Sequence, residues 1–222
     1  MSKVLILPDT HAPYCDWDFL KEIKQFAKTY KPDIIVQMGD LIDAKAWSRF
    51  PKDPDDLCPE AEWINTVCAV DRLRAIFPVM TVLCGNHDSR IMKKAMEVGL
   101  PRQIVGELKQ YFDTPKWTWH LSPTPLQIDG VAYVHGDELN CPTNLLNARY
   151  GRSVVKAHSH QASLHIQHLF DRETFSMEVG WLGDANTNVI RYAAKNPGKC
   201  VSAFATVTDG KAPRLYLKSE FC

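Results

Sequence analysis

None of the seven cysteines in this chain, at positions 15, 58, 68, 84, 141, 200 and 222, forms a Cys-x-x-Cys pair with another. The odd count and irregular spacing speak against a disulfide framework and a zinc finger, and fit reduced thiols in a cytoplasmic protein. An excess of charge is missing too, since 26 Lys plus Arg balance 26 Asp plus Glu. A protein that grips many backbone phosphates through basic side chains is therefore disfavoured, with a local patch still open. No apolar run approaches the roughly 20 residues of a membrane-spanning helix. Val4-Leu5-Ile6-Leu7 is broken by Pro8-Asp9 too soon for a signal peptide. Linkers, low-complexity tracts and repeats are also lacking. With 45% hydrophobic residues, the expectation is a soluble protein with a sizeable core, organised as a single domain over residues 1–222.

What is present is a series of short apolar runs: Val4 to Leu7, Ile34 to Met38, Val79 to Leu83 and Val131 to Val134. Their length and β-branched content predict buried strands. Asp16 is placed to cap a helix carrying Phe19, Leu20, Ile23, Phe26 and Ala27 at helical spacing. Pro59-Glu60 opens a second helix, with Trp63, Ile64, Val67, Val70, Leu73 and Phe77 expected on its inner face. Strand alternating with helix is the pattern of parallel βαβ units, in which ligands sit at the carboxyl ends of the strands. Residues 89–112 read as helical with a break at Gly99-Leu100-Pro101. Five further strands are predicted, at Ser153–Ala157, Ser163–Phe170, Thr174–Val179, Val201–Val207 and Arg214–Lys218. They suggest a second sheet packed on the first, with helices outside. Residues 44–57, rich in Pro and Asp, read as a surface loop or flap.

Five histidine- and aspartate-bearing segments stand where predicted strands give way to loops: Asp9-Thr10-His11, Gly39-Asp40-Leu41-Ile42-Asp43, Gly85-Asn86-His87-Asp88, His135-Gly136-Asp137 and His158-Ser159-His160. Asp9, His11 and His160 supply donors for one divalent metal ion. Asn86, His135 and His158 supply them for a second, and Asp40 is placed to bridge the two. Mixed His, Asp and Asn donors suit Mn most readily, with Fe, Zn or Ni also compatible, and argue against a pure calcium site. Two such ions about 3.5–4 Å apart can share a hydroxide and polarise phosphoryl oxygens. They would also leave the site positive in a neutral protein. His87, next to a ligand but expected to point elsewhere in an extended segment, is free to act as a general acid, with Asp43 orienting it. Arg49 and Arg90 are candidates for contacting phosphate.

In their order and spacing these segments resemble the calcineurin-like metallophosphoesterase superfamily, whose signature is D-x-H, G-D-x-x-D, G-N-H-[DE], H and G-H-x-H. The resemblance spans roughly residues 3 to 160. It implies an α/β fold, a four-layer αββα sandwich of two mixed β-sheets, and the di-metal roles given above for Asp9, His11, Asp40, Asn86, His87, His135, His158 and His160. Two departures stand out: Ala157 replaces the glycine before the last His-x-His, and Pro8 precedes Asp9. Asp88, in the fourth position of G-N-H-[DE], resembles the phosphodiesterase and nuclease branches more than the protein phosphatases.

The expected activity is phosphodiester hydrolysis on nucleotide or nucleic-acid substrates. Phosphomonoester hydrolysis, on proteins or small molecules, is the alternative. A reading of another class is a catalytically inactive scaffold that reuses the fold. Away from the motifs, His120, His165 and His168 read as surface or structural residues, and Trp117 and Trp119 as alternation on a half-buried strand. Gly180 to Asp184 reads as a turn, with a substrate-contacting loop as the alternative, and Asp137 as a partner orienting a ligand or else a turn residue. Oligomeric state is not legible.

Overall fold

Alternation within β1 (Lys3–Leu7) sets the layering of the molecule, as seen in a computed structural model that describes residues 2–122, 124–169, 171–187 and 200–221. Successive side chains on a strand point to opposite faces. Leu5 and Leu7 pack outward against Phe19, Leu20 and Ile23 of α1 (Trp17–Tyr30) and Val70 and Leu73 of α2 (Pro59–Ile76). Val4 and Ile6 face inward, against a second sheet.

β1 runs parallel to β2 (Ile34–Gln37), which is followed by β3 (Met80–Leu83) and β4 (Trp117–His120), also parallel. Between β3 and β4 lie α3 (Arg90–Glu97) and the single turn α4 (Arg102–Val105), separated as expected near Gly99. The second sheet has the order β5 (Leu126–Ile128), β6 (Val131–Val134), β7 (Val154–Lys156), β9 (Arg172–Val179), β8 (Ala162–Leu169), with α5 (Leu146–Tyr150) on its outer face. Its β6, β7 and β9 are parallel. Val131, Tyr133, Val155, Phe175 and Met177 meet Val4, Ile6, Val36 and Met38 between the sheets. Helices outside two mixed sheets make the four-layer αββα sandwich.

Local chemistry accounts for the element boundaries. The Asp16 carboxylate accepts the Phe19 amide hydrogen at 3.1 Å, a cap worth about 1 kcal/mol. Pro59 opens α2, where its missing N–H costs nothing.

Several expectations need correction. The last two strands, β10 (Ala203–Thr208) and β11 (Ala212–Leu217), do not extend the second sheet. They return to the first, β10 pairing antiparallel with β1. On α2, Ile64 is 55% exposed, while Glu62 and Thr66 are buried in its place. β5 was not anticipated. The end of the predicted strand at Phe170 lies outside the described residues. Residues 44–57 form a surface segment containing a 3-10 turn at Lys45–Trp47 and an ion pair, Lys45 Nζ to Asp56 Oδ1, of 2.6 Å. Among the described residues, no helix is long and apolar enough to cross a membrane.

Candidate metal centre

Each of the five motifs follows a parallel strand, so their side chains converge at one edge of the sandwich. Asp9 and His11 follow β1, Asp40 and Asp43 follow β2, Asn86 and His87 follow β3, His135 follows β6, and His158 and His160 follow β7. Four of these residues hold left-handed backbone: His11 (φ 48°), Asp40 (50°), His158 (72°) and His160 (60°). Such conformations cost about 1–3 kcal/mol each in non-glycine residues and gather at functional sites. The strain explains why Ala157 can replace glycine: the positive φ falls on the histidines that follow it. At Gly85 a side chain has no room, because a Cβ there would collide with the Asp40 carboxylate and amide.

The donor atoms fall into overlapping groups: Asp9, His11 and His160; His11, Asp40 and His87; and Asp40, His135 and His158, with ligating atoms in each group within 4.8 Å of one another. His160 Nε2 is 3.2 Å from Asp9 Oδ2 and 3.1 Å from His11 Nε2. His135 Nε2 is 3.3 Å from Asp40 Oδ2 and 3.1 Å from Asn86 Oδ1. The first two groups share His11 and the last two share Asp40, so all seven expected ligands are brought together.

The imidazoles are tied from behind in the manner of metal ligands. His11 Nδ1 meets Asp43 Oδ1 at 2.9 Å, His135 Nδ1 meets the Met38 carbonyl at 3.0 Å, and His160 Nδ1 meets Cys200 Sγ at 3.5 Å. Each of these contacts is made by Nδ1, which turns Nε2 toward the cluster. His158 Nδ1 is buried with no hydrogen-bond partner. Ring nitrogens and carboxylate oxygens crowded together, with one ring nitrogen orphaned, are what a pair of divalent cations would satisfy, so the residues present fit that cofactor.

Charge follows the same geometry. Burial opposes ionisation of Asp40, yet His135 and His87 beside it hold its carboxyl well below the usual range. Burial likewise opposes protonation of His135, but Asp40 and Asp9 push its pKa up to about 10. Burial also works against a charged His160, and the bonds to Asp9 and Cys200 raise it to about 10. In His11 burial prevails and lowers the pKa.

His87, expected to be the acid and not a ligand, belongs to the middle group, its Nδ1 3.1 Å from Asp43 Oδ1 and 2.9 Å from the Asp43 carbonyl. Residues 86–89 form a turn rather than the extended segment expected. The turn sends Asn86 toward His135 and His87 toward Asp43 all the same. Arg90 joins the group, with NH1 2.8 Å from the Asp43 carbonyl and NH2 2.8 Å from His87 Nε2. Arg49 does not: it is exposed, and its guanidinium lies over the Phe50 ring at 5.4 Å.

Two other expectations change. Asp137 is exposed, and the Met38 carbonyl, not Asp137, orients His135. Asp88 is buried and accepts the amide hydrogens of Gly85 (2.8 Å) and Ile42 (3.1 Å). It clips two site loops together, a structural role the sequence did not suggest. Burial and the Asp40 charge raise its pKa to about 7.

Two contributors escaped the sequence. Trp181, buried in what read as a plain turn, stacks on the His160 ring at 5.2 Å and lies edge-on to His11 at 6.4 Å. Its place beside β1, bridged to Asp9, explains why an aromatic stands there. Glu62 accepts the Lys45 and Ala46 amides at 2.7 and 2.6 Å, anchoring the backbone just after Asp43. Its only sequence signal was an acidic residue in the first turn of α2.

The family model described as calcineurin-like phosphoesterase matches residues 2–191, and the chain belongs to that family. A relative, the Gene 54 protein of Mycobacterium phage D29, is 35% identical over 98 residues, which are 40% of this chain and 38% of that protein. The match therefore spans well under half of the relative's length. Among solved structures, Yfce, a phosphoesterase from E. coli, aligns with a TM-score of 0.48 at 13% identity, covering 93% of this chain and 88% of that one. Vps29 from Chaetomium thermophilum aligns at 0.46 and 13%, covering 94% and 85%. The Pseudomonas putida nuclease MPE aligns at 0.38 and 11%, covering 96% and 86%.

Proposed function

We propose that this chain is a metal-dependent phosphoester hydrolase that cleaves phosphodiesters of nucleotides or nucleic acids, with residues 1–222 acting as one domain. One observation carries the reading: three donor groups run into one another through His11 and Asp40, and the histidine next to Asp40, His87, is held by Asp43. In this reading Asp9, His11, Asp40 and His160 hold one cation, and Asp40, Asn86, His135 and His158 hold the other. Manganese suits the mixed donors best, with Fe, Zn or Ni as alternatives. Bound there, the two cations would supply the activated nucleophile and polarise the phosphoryl oxygens.

The chain's own residues do the rest. His87 delivers a proton to the leaving alkoxide, and Asp43 fixes its tautomer through Nδ1. Burial opposes the imidazolium, but Asp40 and Asp43 raise the His87 pKa nonetheless. Arg90, placed beside His87, contacts the phosphate. Arg49 would reach the substrate only by leaving Phe50. Among the described residues Arg90 is the one cationic side chain hydrogen-bonded to the group, a better match for a singly charged diester than for a dianionic monoester. The described cysteines are unpaired, in keeping with a reducing cytoplasm.

The test is hydrolysis of bis-p-nitrophenyl phosphate against p-nitrophenyl phosphate by manganese-loaded protein. Faster turnover of the diester is the expected result. A preference for the monoester would make the protein a phosphatase, and no turnover of either would leave the scaffold reading in its place.

A further inference from the structure

Behind the His158-Ser159-His160 turn lies a buried ion pair with no part in the chemistry above. Lys156 and Glu178 are register partners on the parallel strands β7 and β9. Their neighbours Val155 and Met177 enter the core between the sheets, so alternation sends this pair to the outer face. There Lys156 Nζ lies 3.0 Å from Glu178 Oε1, and both side chains are more than nine-tenths buried. A buried carboxylate has to be fully satisfied, and Glu178 collects two hydroxyls besides. Thr143 donates to its Oε2 at 2.6 Å, and Ser159 donates to its Oε1.

The Ser159 contact is unusual for its setting. The residue is exposed, where a serine hydroxyl ordinarily turns to water, yet here it turns inward. An ionised carboxylate can only accept, so the serine proton is committed to Glu178. Ser159 also sits between two residues in left-handed backbone, His158 and His160, which belong to different donor groups. Strained conformations persist only where their surroundings over-determine them. Three backbone anchors also hold this turn: the His158 amide donates to Asp9 Oδ2 at 3.1 Å, the Ser159 amide donates to the Ala157 carbonyl at 2.9 Å, and the Val201 amide donates to the His160 carbonyl at 2.8 Å. None of them fixes the Ser159 side chain.

We propose that Glu178 is a positioning residue for the metal centre. Charge-paired with Lys156, it clamps the Ser159 hydroxyl and thereby fixes the directions in which His158 and His160 present their rings. The same carboxylate reaches Thr143 on the segment that follows His135, so it also ties that segment to the turn. The inference rests on His158 and His160 being ligands, as argued in the preceding subsection.

The experiment measures manganese stoichiometry and affinity by calorimetry on the metal-free protein, comparing wild type with Ser159→Ala, Ser159→Thr and Glu178→Gln. Ser159→Ala removes the clamped hydroxyl and leaves the buried ion pair intact, so it reports even if Glu178→Gln fails to fold. Loss of a partner that orients ligands characteristically weakens metal binding by about 10- to 100-fold. Ser159→Ala should show that loss with the thermal midpoint of the metal-free protein unchanged, and Ser159→Thr should restore the affinity. Wild-type affinity at both sites in Ser159→Ala, or no rescue by threonine, overturns the positioning role while the metal reading stands. Failure of the wild type itself to bind manganese removes both.

Discussion

Arg90 holds His87 by the nitrogen that catalysis would need: its NH2 lies 2.8 Å from His87 Nε2, while Nδ1 faces Asp43. An imidazolium cannot accept a hydrogen bond, so this contact belongs to the neutral ring with its proton on Nδ1. The histidine can gain its second proton only when the guanidinium moves off, and an arriving phosphate, with its fork of oxygens, gives the guanidinium somewhere to go.

Arg90→Ala should therefore raise KM by roughly tenfold, the equivalent of about 1.4 kcal/mol for one lost charged contact, with a smaller change in kcat. Steady-state kinetics on a nucleotide diester would check it. An unchanged KM would mean that Arg90 serves only the loop it bonds to.

Asp40→Ala should abolish manganese binding and activity together, because that carboxylate belongs to two of the three donor groups and is the proposed bridge between the cations. His87→Ala should keep the metal and lose turnover, chiefly on substrates with poor leaving groups, by the 100- to 10,000-fold or so typical of general acids. Comparing a p-nitrophenyl ester with an alkyl ester, alongside metal analysis of both variants, separates the two roles. Full activity of the His87 variant on the alkyl ester would strike it out as the acid.

Trp181 props two rings at once. Trp181→Ala should destabilise the fold by about 3–5 kcal/mol, the usual cost of emptying a buried aromatic site. Trp181→Phe should recover most of that stability. If the stacked indole also sets the His160 ring, the phenylalanine variant should fold yet bind manganese more weakly than wild type. Thermal melts and calorimetry read the two effects independently.

Glu62→Ala would strand the amides of Lys45 and Ala46, each at a cost of about 1–3 kcal/mol if buried. The expected outcome is a lower melting temperature and a reduced kcat, since the backbone leaving Asp43 loses its anchor. Glu62→Gln, which keeps one acceptor oxygen, should lie between alanine and wild type.

The candidate ligands were legible because each stands at a strand end, where apolar run, turn and donor residue are written consecutively. The same holds for the Asp16 cap and the start of α2 at Pro59. Contacts made by backbone left no such trace: nothing in the sequence says that the Met38 carbonyl, rather than Asp137, orients His135. Trp181 went unseen because its stacking on His160 joins two strands' ends across the site. Glu62 and Ile64 exchanged expected places because helical spacing marks a face without saying whether a buried carboxylate will find amides there. The path of β10 was not written locally either, since a run buried on both faces, as Ala203 to Val207 is, could fill an interior place in either sheet.

That path has a consequence for how the protein comes into being. β1 carries Asp9 and His11, yet one of its two flanks is closed only by residues 203–208, nearly two hundred positions later. While the chain is still emerging from the ribosome, its earliest strand must wait with open amides and carbonyls, an invitation to pair with whatever is nearby. Closure of the sheet beside Asp9 and His11 is thus among the last events of biosynthesis, and a nascent chain halted before position 203 would be sticky.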